Sequence, residues 1–131
     1  MTEPTIINLV TMRDEGDCAV CCLAMVCGVT YSDVLQCCPK RAQATVNGLS
    51  NRQMQNVATR LGRTLRLLTE PEDDDIGILT LTKTYDAQCQ HAVVYVKDTI
   101  INPRDGEFWT DLDAFLRDRK WQVESFLRRV S

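Results

Sequence analysis

An α+β domain is the fold class that this sequence predicts, with helices in its first half packed on an antiparallel sheet formed by its second. Three observations predict it. Residues 18–27, CAVCCLAMVC, form a small apolar run of helix length that Gly28 closes. Two capping-box patterns, Thr30 with Asp33 and Ser50 with Gln53, open further helices. After residue 63 the pattern changes to short β-branched and aromatic runs separated by turn residues. Helices first and strands second segregate into α+β rather than alternating α/β.

Each element follows in chain order. Residues 1–10 read as an arm or a short strand, and residues 11–17 as a polar loop. The helix over 18–27 is apolar almost throughout, so it is expected to be buried. The helix opened by Thr30 runs through Val34 and Leu35 and must end by Pro39, whose ring and missing N–H stop it. In the helix opened by Ser50, Met54, Val57, Ala58 and Leu61 share one face, and Gly62 ends it. Strands are expected over 64–68, 76–81, 91–96 and 99–101, with a tight turn at Lys97-Asp98. Asn102-Pro103-Arg104-Asp105-Gly106 is turn chemistry. Asp111 caps a short helix through Leu112, Phe115 and Leu116, and Trp121, Val123 and Leu127 mark a last strand.

Composition excludes several classes. The 131 residues suit one domain, 1–131, and 44% hydrophobic with 25% charged residues is globular rather than disordered. A net charge of −3 gives no reason to expect nucleic acid. No apolar run is long enough to span a membrane, and no secretory signal is visible. Six of the seven cysteines crowd between Cys18 and Cys38, two pairs are adjacent, and the count is odd. That fits poorly with a disulfide framework and well with free thiols in a reducing, cytoplasmic compartment.

Cys18 stands apart from the other cysteines. It lies where the polar loop meets the helix, and a helix N-terminus stabilises a thiolate through its free amides and dipole. Cys21, Cys22, Cys27, Cys37 and Cys38 read as small core hydrophobes. The chain has a single histidine, His91, so any Cys–His chemistry must use it as the base. Such a base needs a third group to fix its tautomer, and Asn102 is the candidate. If Lys97-Asp98 is a two-residue hairpin turn, Val96 pairs with Thr99 and Val93 lies opposite Asn102. His91 and Asn102 are then diagonal neighbours on one face, within about 7–8 Å backbone to backbone. A loop one residue longer would put them on opposite faces.

The segment Asp17-Cys18-Ala19-Val20-Cys21-Cys22-Leu23-Ala24-Met25-Val26 resembles the D-C-x-x-x-x-L-A-M signature of the C39-like branch of papain-fold cysteine peptidases. Residues 28–34 resemble that family's second helix, and residues 91–96 its histidine strand. Asn102-Pro103 stands where the family usually has Asp-Pro. The resemblance implies a papain-like fold and a peptidase that cleaves a peptide or isopeptide bond of a peptide or protein substrate. Cys18 would be nucleophile, His91 base and Asn102 its orienting partner, with no cofactor. One departure concerns the oxyanion hole. Where the family usually carries a glutamine, this chain has Met12, which cannot donate a hydrogen bond. Arg13 and Asn8 are the candidate replacements, beside the backbone amide of Cys18.

Other readings compete. A binding or inhibitor protein on the same fold would tolerate Met12. Cys18-x-x-Cys21 has zinc-ligand spacing, and Cys37-Cys38 or Cys89-x-His91 could complete four ligands, but a second spaced C-x-x-C is absent. A disulfide oxidoreductase would need a strand before the C-x-x-C helix and a βαβ context, which are missing. Glu70, Glu72, Asp73, Asp74 and Asp75 read as a solvated loop, and Trp109 and Trp121 as core or rim packing.

Overall fold

The computed structural model describes residues 7–46 and 48–130. The arm or strand expected over residues 1–10 falls in part on residues 1–6, outside the described residues; residues 7–10 have no regular structure. Helix α1 (Cys18–Cys27) is buried over nearly its whole surface, as an all-apolar helix must be, and Gly28 caps it in the left-handed conformation at φ 71°. Helices α2 (Tyr31–Cys37) and α4 (Asn51–Arg60) each begin with a complete reciprocal capping box, Thr30/Asp33 and Ser50/Gln53. Between them lies α3 (Arg41–Val46), which the sequence pattern does not announce.

Six strands follow: β1 (Leu65–Leu68), β2 (Ile76–Lys83), β3 (Asp86–Val96), β4 (Thr99–Asn102), β5 (Glu107–Trp109) and β6 (Trp121–Arg129). The short helix α5 (Leu112–Arg119) precedes β6, capped by Asp111 as expected. The strands form one antiparallel sheet in the order β1-β6-β2-β3-β4-β5. Two differences from expectation stand out. Strand β3 starts at Asp86 rather than near His91, and β5 forms at residues 107–109, just after the expected turn, where no element was expected.

Period-two alternation gives the sheet two buried faces. Leu65, Ile78, Ala92, Val94, Ile101 and Leu127 pack against α1–α4. Leu79, Leu81, Val93, Tyr95, Ile100 and Phe126 pack with Phe115 of α5. At the β3–β4 hairpin, Lys97 and Asp98 both have positive φ, 48° and 70°, and Val96 pairs with Thr99. This is the two-residue turn that sets the register around His91. Among the described residues no single helix is long and apolar enough to cross a membrane.

Candidate active site

The polar loop before α1 is organised by one buried carboxylate. Asp17 is fully buried. Its Oδ2 accepts the backbone amides of Arg13 at 2.9 Å and Asp14 at 3.1 Å, and the Tyr31 hydroxyl at 2.7 Å. Among the described residues its Oδ1 has no hydrogen-bond partner. These bonds fold the loop back on the start of α1. The Met12 amide donates to the Pro103 carbonyl at 2.9 Å, which ties the same loop to the turn after Asn102.

Cys18 is the first residue of α1 and is partly exposed. Burial pushes its thiol above the ordinary value of 9.0; the backbone amides of Ala92, Ala19 and Cys18 itself oppose that shift but do not overcome it, and the Asp17 charge adds to it. The resting sulfur is therefore a thiol. Cys21, Cys22, Cys27 and Cys38 are buried, and all seven cysteines are free. Cys21, Cys22 and Cys27 sit in the core around α1, as the small-hydrophobe reading expects. Among the described residues no group of three His, Cys, Asp or Glu side chains is arranged to hold a metal ion.

His91 on β3 and Asn102 at the end of β4 meet: His91 Nε2 lies 2.9 Å from Asn102 Oδ1. The same oxygen accepts the Arg104 amide at 3.1 Å, which fixes it as the acceptor end of the Asn102 side chain. His91 Nε2 must then carry the proton, and Nδ1 is left as the basic nitrogen. Burial lowers the His91 pKa below 6.5, and the Arg104 and Lys83 charges lower it further; the Asn102 bond and Asp105 act in the other direction. The resting ring is neutral near pH 7.

Cys18 and His91 line one groove, together with Gly16, Ala19, Gly48 and Met54. Among the described residues no hydrogen bond joins the thiol to the ring. His91 also faces a second groove, lined by Met12, Arg13, Arg104 and Trp121. Arg13 reaches that groove, but its guanidinium lies 4.2 Å above the Tyr31 ring. Asn8 lines a different depression, with Thr30 and Tyr31, away from Cys18 and His91.

Three neighbours of the site escape the sequence reading. Asp17 carries a signal, since an acid directly before a buried helix is a capping residue type, although its bonds run to the preceding loop rather than to α1. Trp121 stacks on His91 with ring centroids 5.7 Å apart and planes inclined by 25°. Lys83 Nζ lies 3.8 Å from the Trp121 ring centroid. Neither of these last two has a local signal, because each depends on the order of strands in the sheet. Comparison of the sequence with protein-family models and with curated proteins finds no match.

Proposed function

We propose that this chain is a papain-like thiol hydrolase of the C39-like kind, cleaving a peptide or isopeptide bond with Cys18, His91 and Asn102. One observation carries the reading. Asn102 Oδ1, held by the Arg104 amide, accepts the hydrogen bond of His91 Nε2–H at 2.9 Å, which leaves Nδ1 as the basic nitrogen of a ring that lines a groove with Cys18. A histidine that was only packing would not need a fixed tautomer beside the one cysteine at a helix start.

Both shifts at the site favour neutral forms, so the chemistry starts from thiol and imidazole rather than from an ion pair. His91 Nδ1 accepts the thiol proton as Cys18 Sγ attacks the substrate carbonyl carbon. The free amides at the start of α1 face the developing oxyanion. His91 returns the proton to the leaving nitrogen as the C–N bond breaks. Water, deprotonated by the same nitrogen, then attacks the thioester carbonyl, the C–S bond breaks, and the imidazolium returns the proton to Cys18 Sγ. No cofactor enters this sequence, and free thiols suit a reducing, cytoplasmic setting.

A second reading, a binding or inhibitor protein on this fold, is favoured by Met12, which brings no donor to the groove facing His91. Acylation by a nitrophenyl ester separates the two. The hydrolase reading expects acyl transfer to Cys18, located by peptide mass mapping at neutral pH. Cys18→Ala should abolish it, and His91→Ala should slow it by about 100-fold or more. Acylation confined to the exposed Cys89, with Cys18 untouched and His91→Ala without effect, would leave the binding protein.

A further inference from the structure

Two side chains outside the Cys18–His91–Asn102 set are built around the base. In the sheet order, β2 lies between β6 and β3. Lys83 on β2 pairs with Trp121 on β6, and Leu81 on β2 pairs with His91 on β3. His91 and Trp121 therefore stand two strands apart, about 10 Å in the sheet. Their rings nevertheless approach to 5.7 Å between centroids, so the indole leans across β2 toward β3. Register shifts at Thr80/Leu81 and at Thr82/Lys83 bend β2 at this point. Lys83 Nζ sits over the same indole at 3.8 Å and donates to the Arg119 carbonyl at the end of α5. The ammonium thus has two partners, the indole and a carbonyl, and the indole meets both a cation and the imidazole.

We propose that Trp121 and Lys83 are positioning residues for His91: the indole fixes the plane of the ring, and the ammonium, anchored on the Arg119 carbonyl, holds the indole in place and sets a positive charge beside the ring. Rim packing alone calls for an apolar cover and no cation. A lysine whose only task was solubility would extend into water rather than lose its rotamer freedom against an aromatic face and a carbonyl. Of the other charged groups around His91, Arg104 also lowers its pKa, by more than Lys83 does. Arg104 and Asp105 come from the turn after β4 and oppose each other. Asp14, Glu15 and Arg13 come from the loop before α1, Cys89 from β3 itself, and Cys18 from α1. Among the described residues, Lys83 is the cation placed over the Trp121 indole. The link to catalysis rests on the hydrolase reading; the effect on the ring does not.

The single histidine makes the test unambiguous, because every imidazole signal belongs to His91. Nitrogen-15 and carbon-bound proton resonances of the ring are followed through a pH titration of the full chain. The wild-type midpoint is expected below 6.5, with ring-nitrogen shifts of an Nε2–H tautomer. Lys83→Met should move the midpoint up by about half a pH unit, the effect of removing one partly screened charge. Lys83→Arg, which keeps charge and stacking, should restore it. Trp121→Leu should draw the two nitrogen shifts together as the tautomers mix. An unmoved midpoint in Lys83→Met, in protein whose amide spectrum is otherwise native, would overturn the proposal, as would an equal shift in Lys83→Arg. If the shifts occur but Cys18 resists acylation, the stack stands and the hydrolase reading falls. If Cys18 is acylated through His91 and Lys83→Met leaves the midpoint in place, only the stack falls.

Discussion

Met12 stands where the resemblance to C39-like peptidases implies a glutamine donor. Its amide is pinned to the Pro103 carbonyl, one residue beyond Asn102, and its side chain lines the groove that His91 faces. The neighbouring donors are committed elsewhere: the amides of Arg13 and Asp14 to Asp17, the Arg13 guanidinium to the face of Tyr31. Met12→Gln restores two N–H donors in a side chain of similar length. Under the hydrolase reading it should speed acylation of Cys18, measured as nitrophenolate release in a single turnover, by about 10- to 100-fold, because one oxyanion donor is typically worth about 100- to 1,000-fold. An unchanged rate would place the oxyanion away from residue 12. At this scale the sequence was informative where chemistry is local. A cysteine at a loop–helix junction, and a histidine and an asparagine joined by a two-residue turn, can be placed together by counting residues. The Lys83–Trp121 support cannot, because its members meet only after three strands have been ordered.

The helices and strands divide along the same line. Those with their own capping or alternation, α1, α2, α4, α5, β2 and β6, were legible. Helix α3 was not: RAQATV has no capping residue, is shorter than an isolated helix can sustain, and buries only Ala44. Strand β5 exists through its pairing with β4, and residues 86–90 of β3 (DAQCQ) are all exposed and carry no β-branched or aromatic side chain to mark a strand. Yet α3 bears on the site. A Cβ at Gly16, in the loop before Cys18, would lie 1.9 Å from the Val46 carbonyl oxygen at the end of α3. The two backbones touch, and neither contact atom is a side chain that could swing aside. Gly16→Ala must push them apart, at a cost of about 1–3 kcal/mol by analogy with overpacked cores. Urea denaturation should show that loss as a lower midpoint. Acylation of Cys18 should fall by more than the unfolded fraction explains, since the displaced loop carries the groove wall. A wild-type midpoint would mean that α3 does not rest on this loop.

Across the whole molecule, the packing that buries α1 also sets how stability depends on pH. Burial raises the thiols of Cys18, Cys22 and Cys38 above 9.0, pushes Cys27 up to about 11 and Cys21 up to about 12. In the unfolded chain these thiols ionise from about pH 9; in the folded protein they hold their protons. As pH rises through 9 the unfolded state therefore gives up protons that the folded state retains, and stability falls. His91 acts at the other end. Its folded value lies below 6.5, so as pH falls through 6.5 the unfolded chain takes up a proton that the folded chain declines, and stability falls again. Each unit of separation between folded and unfolded titration is worth about 1.4 kcal/mol. Several thiols acting together make the alkaline limb the steeper one. The urea midpoint should peak between the two limbs and drop markedly by about pH 10. Cys21→Ala and Cys22→Ala each create a small cavity and so lower the midpoint at every pH, but they should flatten the alkaline limb by removing a titrating group. A midpoint at pH 10 equal to that at pH 8 would show that the thiols around α1 reach water in the folded protein, and the buried helix on which Cys18 stands would have to be packed differently.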